Sequence, residues 1–151
     1  PEKRLRDINA ANMLLAYDVN ALGTLRLAME FELLLKASES SKFICLSARV
    51  GSISDNNTGG WYAYRASKAA LNMLLKTIAI EWSRTNKRIC CAALHPGTVA
   101  TDLSAPFTNS GYKGNLFHAS EAAKNILNVI STLSPDDSGG FFSWDGKKIL
   151  W

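Results

Sequence analysis

Two short, uninterrupted apolar runs most constrain how this chain can fold. Phe43–Ser47 reads Phe-Ile-Cys-Leu-Ser, and Ile89–Leu94 reads Ile-Cys-Cys-Ala-Ala-Leu. Short runs without polar alternation are typical of strands that are covered on both faces. Between them, Trp61–Trp82 carries apolar residues at helical spacing. Because buried strands that alternate with helices pair in parallel through right-handed crossovers, the pattern predicts an α/β fold with a doubly wound parallel sheet.

Two further helices are expected. Residues 10–37 carry apolar side chains at spacings of three to five, which predicts a long helix, and Asn20 and Gly23 predict a local kink in it. Ser120 is predicted to cap a helix that runs to about Leu133.

The connections complete this outline. Residues 98–117 show no clear periodicity and are predicted to form a long loop, which is usually functional or mobile. The Asp145–Gly146 pair predicts a hairpin turn. We therefore expect one domain over residues 1–151, which ends in a strand and a hairpin tail from about 140 to 151.

Charge and apolar content argue against several classes of partner. The net charge is +4, but the basic residues are scattered along the chain, so no nucleic-acid partner is expected. The longest apolar runs are far shorter than the ~18 residues of a membrane span, so no membrane partner is expected. Neither His95 nor His118 lies at ligand spacing from a cysteine, and no metal is predicted.

The cysteines indicate the compartment. Cys45, Cys90 and Cys91 all lie within the apolar runs. An odd number, with two adjacent, argues against a disulfide framework and favours a reducing compartment, so a cytoplasmic location is expected. The first residue is Pro1 rather than methionine, which predicts that translation starts further upstream.

Tyr64 and Lys68 have the spacing that points to chemistry. Four residues apart on a helix, the two side chains share one face. An ammonium beside a phenol is expected to lower the pKa of the tyrosine from about 10 toward neutrality. Such a tyrosine can donate a proton to a carbonyl oxygen as hydride arrives on carbon. Tyr62 lies on a different face and is not a candidate.

Two more segments are expected beside this pair. Ser47–Ser52 follows the first strand, and Pro96–Thr101 follows the second. Ligands of open parallel sheets bind at the carboxyl ends of the strands, so both segments and the Tyr64 helix are predicted to meet in one crevice. Three aromatic residues either line a substrate pocket there or serve in packing: Trp61, Phe107 and Phe117.

The residues around these positions resemble the short-chain dehydrogenase/reductase family, and more narrowly its C-factor and sniffer-type carbonyl reductase branch. The likeness rests on Ala48–Ser54, on Gly59–Asn72 and on the terminal Trp-Asp-Gly…Trp, and it extends over essentially the whole chain. It implies a partial Rossmann-like fold that comprises the last three strands with their helices and lacks the N-terminal nucleotide-binding strands.

This resemblance implies roles for three side chains. Tyr64 is the general acid and base, and Lys68 lowers its pKa and binds the ribose hydroxyls of the nicotinamide nucleotide. Asn20 matches the family's helix asparagine, whose kinked backbone holds a water that links the lysine to solvent.

The resemblance also implies a nicotinamide cofactor, NADP or NAD. Pro96, Gly97 and Val99 let the backbone approach the nicotinamide, and Thr101 hydrogen-bonds its carboxamide. In the family a Gly-x-x-x-Gly-x-Gly loop cradles the pyrophosphate at a helix N-terminus, and the glycines of this sequence form no such loop.

The serine that orients the substrate is ambiguous. The family usually places it second in a Ser-Ser pair after the strand, where this chain has Ala48. Ser47 and Ser52 are the remaining candidates, and Ser52 is preferred because it lies nearest the usual distance before the tyrosine.

Two functions are consistent with these features. In the favoured one, the residues belong to a longer NAD(P)-dependent reductase that acts on a small carbonyl substrate. In the alternative, the chain is a short, non-catalytic form that binds no nucleotide and serves as a partner subunit. The helices at residues 10–37 and 61–84 match those that pair in many family homodimers, but some of these reductases are monomers, so both states stay open.

Overall fold

The computed structural model describes residues 2–108 and 111–151, and these contain α-helices and parallel strands in alternation. The helices are α1 (Ala10–Tyr17), α2 (Gly23–Ala37), α3 (Tyr62–Thr85) and α4 (Ala119–Thr132). The strands are β1 (Ser41–Leu46), β2 (Ile89–His95), β3 (Thr98–Val99), β4 (Leu116–Phe117) and β5 (Phe141–Ser143). The α/β prediction is confirmed. No helix of the described residues has the length and apolarity needed to cross a membrane.

The main sheet has the strand order β1-β2-β5, and all pairs are parallel. Phe43 pairs with Cys91, and Ala93 pairs with Phe141. Odd-numbered residues of β2 pack on the α3 side, and even-numbered residues pack on the α4 side. Because side chains alternate across a strand, this burial on both faces explains why the predicted run lacks polar residues. The three cysteines are free thiols.

The long N-terminal helix is interrupted where the sequence predicts it. Asp18–Leu22 forms a π-helical turn between α1 and α2, a feature that is frequent at functional sites. Gly23 is not required for it, because its φ is −55° and a β-carbon there would lie 3.6 Å from the Asp18 carbonyl oxygen, an ordinary contact.

The predicted cap of the last helix is wrong. α4 begins at Ala119, and the preceding His118 has an extended backbone without a side-chain capping bond. Ser120 lies inside the first turn, so its hydroxyl is not at the N-cap position.

The segment between β2 and α4 is less irregular than predicted. Thr98 pairs with Leu116 and Val99 with Phe117, so β3 and β4 hold the two ends of the predicted loop together. Residues 109–110 of this predicted loop lie outside the described residues.

A turn forms at the predicted Asp145–Gly146 pair. Gly146 has φ +80°, a conformation that favours glycine, and its N–H donates to the Ser143 carbonyl at 2.9 Å. The returning chain pairs with β5 only through an isolated antiparallel bridge between Phe142 and Lys148.

The loop after β1 packs directly on the backbone of α3 at Gly51. A β-carbon at Gly51 would lie 2.8 Å from the Lys68 β-carbon and 2.9 Å from the Lys68 carbonyl carbon. The Asn72 amide nitrogen donates to the Gly51 carbonyl at 3.3 Å in the same buried region. Only glycine permits this approach, which fixes the loop beside Lys68.

His95, the last residue of β2, has an unusual environment. Its Nδ1 atom is buried and has no hydrogen-bond partner among the described residues. Burial and the nearby Arg49 guanidinium lower the pKa of His95 to about 4, although the carboxylates of Asp55 and Asp145 act in the opposite direction. The imidazole is therefore neutral at pH 7, and protonating it disfavours the fold.

We expect Gly51→Ala to lower the free energy of unfolding by about 1–3 kcal/mol, because the added methyl group meets backbone that cannot move without displacing α3. Urea denaturation measures the change. Gly23→Ala is the matched control, and we expect it to be neutral or slightly stabilising, since its contact is ordinary and alanine favours a helix. Equal effects of the two substitutions would contradict the close contact.

We expect His95 to make the protein lose stability on acidification. Between its ordinary pKa of 6.5 and its folded value of about 4, the unfolded state binds the proton more readily, so the free energy of unfolding falls as pH falls. Denaturation curves from pH 7 to pH 4 should show the wild type losing up to about 3 kcal/mol more than His95→Gln. Exposed His118→Gln should follow the wild type. A His95→Gln profile identical to the wild type would overturn this assignment.

Candidate active site

The carboxyl ends of β1 and β2 meet the first turns of α3 at one edge of the sheet. The Lys68 ammonium donates to the Leu46 carbonyl at 3.0 Å. The Ser47 N–H donates to the Leu94 carbonyl at 2.9 Å and so joins the ends of the two strands. The structure therefore brings the two strand ends and the Tyr64 helix together, and a shared crevice with Pro96–Thr101 stays a prediction.

Tyr64 and Lys68 lie on the same face of α3. The Lys68 Nζ atom is 6.0 Å from the centroid of the Tyr64 ring. Tyr64 is half-buried, and within residues 2–108 and 111–151 its hydroxyl makes no hydrogen bond. Tyrosine hydroxyls in such positions usually find a partner, so this one is available to a ligand oxygen.

The predicted lowering of the Tyr64 pKa is wrong for this structure. Burial raises the pKa of Tyr64 and lowers that of Lys68, because both charged forms lose contact with water. The Lys68 ammonium is bound to the Leu46 carbonyl and lies close to Cys45, where it opposes the burial that raises the thiol pKa to about 12. The phenol therefore keeps its proton at neutral pH.

Asn20 is connected to Tyr64 through Ser67, for which the sequence predicts no role. Its side-chain amide donates to the Ser67 hydroxyl at 3.0 Å, and that hydroxyl donates to the Tyr64 backbone carbonyl at 2.9 Å. The Asn20 carbonyl lies in the π turn and accepts from the Thr24 hydroxyl at 3.3 Å. The π turn is thus fastened to the helix turn that carries Tyr64.

The hydroxyls of both candidate serines are engaged elsewhere. Ser47 is buried and donates to the Asn72 side-chain oxygen at 2.6 Å. Ser52 is 1% exposed and donates to the Leu150 carbonyl at 2.6 Å. Neither forms a hydrogen bond with Tyr64 in the described chain, and Ala48 is also buried.

The segment after β2 packs against the aromatic rings of Phe117 and Trp144. Gly97 has φ +81°, and a β-carbon there would lie 2.6 Å from the Phe117 ring and 3.0 Å from Trp144. The Ser104 hydroxyl donates to the Val99 carbonyl and accepts from the Thr101 N–H at 3.1 Å. Pro96, Gly97 and Val99 are half-buried, and Thr101 is exposed. Phe117 is therefore a buried residue that packs against the backbone of Gly97.

Several residues that shape the site were not singled out from the sequence. Gly51 and Asn72 hold the loop after β1, and Glu2 contacts the start of α3. The Trp61 N–H donates to the Glu2 carbonyl at 2.6 Å, and the Ala63 N–H donates to the Glu2 carboxylate at 3.3 Å. No local pattern predicts the Glu2 contacts, because the partners are 59 or more positions apart.

The family comparison covers most of the chain. Residues 1–133 match the family described as Enoyl-(Acyl carrier protein) reductase. The chain is 33% identical over 147 residues to C-signal of Myxococcus xanthus, and the match covers 97% of this chain and 83% of that protein. It is 36% identical over 134 residues to 1-hydroxy-2-glutathionyl-2-methyl-3-butene dehydrogenase of Rhodococcus sp. (strain AD45), covering 89% of this chain and 56% of that enzyme.

Comparison with solved structures points to the same family. The carbonyl reductase Sniffer of D. melanogaster superposes with a TM-score of 0.86 at 30% identity, over 100% of this chain and 62% of that one. An NADPH-bound carbonyl reductase from chicken fatty liver superposes with a TM-score of 0.85 at 31% identity, again over 100% and 62%. The chain thus spans less than two thirds of these structures, and its fold is a partial Rossmann-like fold. The chain belongs to the short-chain dehydrogenase/reductase family and is of the C-factor and sniffer type.

Proposed function

We propose that the chain carries the proton-transfer site of an NAD(P)-dependent oxidoreductase that reduces a carbonyl group or oxidises the corresponding alcohol. The observation that supports this most is the half-buried Tyr64 hydroxyl, which has no partner in the described chain and lies beside Lys68 at the strand ends. This is the edge of a parallel sheet at which ligands bind. The membership of the chain in a family of oxidoreductases supports the same reaction.

In the reducing direction, Tyr64 donates its phenolic proton to the carbonyl oxygen. The chemistry that NADH or NADPH supplies when bound is hydride transfer to the carbonyl carbon, so the product is the alcohol. The raised pKa of Tyr64 keeps the proton on the phenol until the oxygen becomes basic. The tyrosinate then regains a proton from solvent.

The residues present fit the nicotinamide end of such a cofactor. The Lys68 ammonium has three N–H donors and gives one to the Leu46 carbonyl, which leaves donors for hydroxyl oxygens. The exposed Thr101 hydroxyl and the glycine at position 97 permit contact with a carboxamide and a flat ring. The residues proposed to hold the nicotinamide side of NADP or NAD are Tyr64, Lys68, Pro96, Gly97, Val99 and Thr101.

Asn20, Ser47 and Ser52 are proposed to support the reaction. Asn20 orients the Tyr64 turn through Ser67, and this linkage supports a role for the π turn in holding the tyrosine. Either serine hydroxyl would have to exchange its present partner to reach a substrate oxygen. Ser47 would give up the side-chain oxygen of Asn72, whereas Ser52 would give up the backbone carbonyl of Leu150 in the C-terminal tail.

We expect Tyr64→Phe in the intact protein to lower turnover of carbonyl substrates by at least about 100-fold, because the proton donor is lost. Cofactor affinity, measured by NADPH and NADH titration, should stay mostly unchanged. Tyr62→Phe is the matched control, since Tyr62 is exposed and lies on another face of α3, and it should keep wild-type turnover. Retained turnover in Tyr64→Phe would rule out the proposed function.

We infer a second candidate function, that of a partner subunit without nucleotide binding, from the exposed apolar surface of α1 and α2. Leu14 is 69% exposed, Leu33 is 80% exposed and Leu34 is 68% exposed. Extensive exposed apolar surface normally marks contact with other polypeptide. This surface could be buried either by the remainder of a longer reductase or by a separate partner protein.

The partner-subunit function predicts that the 151-residue chain binds neither NADPH nor NADH. Fluorescence titration of the purified chain with both nucleotides measures this. Tight binding of either nucleotide would contradict the partner-subunit function, and turnover of carbonyl compounds by the intact protein would support the reductase instead.

A further inference from the structure

The segment before α3 holds a strained backbone. Gly59, Gly60 and Trp61 have φ values of 62°, 66° and 56°, so three consecutive residues are left-handed. Glycine adopts this conformation freely, but a bulky side chain rarely does. Trp61 is the one non-glycine residue with positive φ in the part of the chain that the structure describes. Strain of this kind persists only where the surroundings fix it, and it clusters at ligand sites.

Arg65 fixes this segment. Its Nε atom donates to the Gly60 carbonyl at 3.0 Å, and its Nη2 atom donates to the Gly59 carbonyl at 3.1 Å and to the Thr58 hydroxyl at 2.8 Å. Its Nη1 atom donates to the Val50 carbonyl at 3.3 Å. One planar guanidinium therefore joins the loop before α3 to the loop after β1, which a lysine cannot do.

The consequence of this geometry is the position of the Trp61 indole. Its ring lies 3.9 Å from the Phe107 ring, centroid to centroid and tilted by 49°, and 6.3 Å from the Tyr64 ring. Trp61 and Phe107 are both half-buried, so each ring keeps accessible surface. An aromatic surface therefore extends from the Tyr64 ring through Trp61 to Phe107.

We propose that Trp61 and Phe107 select the substituent of the carbonyl substrate and that Arg65 is their positioning residue. The occupant is a planar aromatic group attached to the carbonyl carbon, which lies against the two rings while Tyr64 binds the carbonyl oxygen. A planar π system gains stacking contacts on such a surface, whereas a saturated ring of the same size gains fewer. This inference rests on the proposed function and concerns which carbonyl compounds the same site accepts.

The test uses the intact protein and two aldehydes of matched size, benzaldehyde and cyclohexanecarboxaldehyde, with NADPH and NADH both supplied. The wild type should prefer benzaldehyde in kcat/KM, and Trp61→Leu should lower that preference by about tenfold. Phe107→Leu should lower it in the same direction, and Trp61→Phe should largely retain it because a π face remains. Phe31→Leu, at an exposed aromatic position of α2, is the matched control and should leave the preference unchanged.

The outcomes separate this inference from the proposed function. Turnover retained in Tyr64→Phe overturns the proposed function and this inference with it. No reduction of either aldehyde by the wild type overturns this inference alone. Turnover lost in Tyr64→Phe while Trp61→Leu and Phe107→Leu keep the wild-type preference overturns this inference alone. A wild type without a preference for benzaldehyde also overturns it alone.

Arg65→Lys tests the positioning role with a second readout. Lysine keeps the charge but cannot bind both loops, so amide hydrogen exchange at Gly59–Trp61 should become faster while exchange in β2 stays at the wild-type rate. The preference for benzaldehyde should fall together with this protection. Unchanged exchange at Trp61, or faster exchange with an unchanged preference, would overturn the positioning role of Arg65.

Discussion

The contact between Gly51 and the backbone of Lys68 joins the loop after β1 to α3, and the geometry of the candidate site depends on it. Asn72 closes the same junction, because its side chain accepts from the Ser47 hydroxyl and donates to the Gly51 carbonyl. The junction places the Lys68 ammonium within 3.0 Å of the Leu46 carbonyl, at the end of the strand. Protein interiors are close-packed, so a shift of α3 here would move Tyr64 as well.

The fold could be predicted from the sequence to the extent that burial leaves a pattern. The run from Ile89 to Leu94 is apolar on both faces because α3 and α4 cover both sides of β2, and that arrangement is visible in the residue types alone. The start of α4 left a weaker signal. Ser120 has the right chemistry for a cap, but where a helix begins depends on the backbone of the residues before it, and the observed N-cap position is His118, two residues earlier.

The candidate site was predictable in position but not in electrostatics. The spacing of Tyr64 and Lys68 determines that they share a face, since that follows from helix geometry. The direction of the Tyr64 pKa shift is set by burial, which the spacing does not reveal. The Leu46 carbonyl that binds the Lys68 ammonium also has no signature in the sequence. The hydrogen bond of Ser52 also has no signature in the sequence, because its hydroxyl donates to a carbonyl 98 residues away in the chain.

The π turn at Asp18–Leu22 sets the rotational phase of everything that follows it in α2. One residue more or less in a helix turns the following side chains by about 100° around its axis. Ala28 reaches the core, and Glu32 accepts from the Trp82 indole at 3.1 Å, only because the turn has its present length. A deletion of one residue between Asp18 and Leu22 would leave a regular helix of nearly unchanged composition, yet each side chain of α2 would face a different neighbour. A π turn contains one residue more than a regular α-helical turn. Positions in α2 of two aligned sequences are therefore equivalent only when both sequences contain this additional residue.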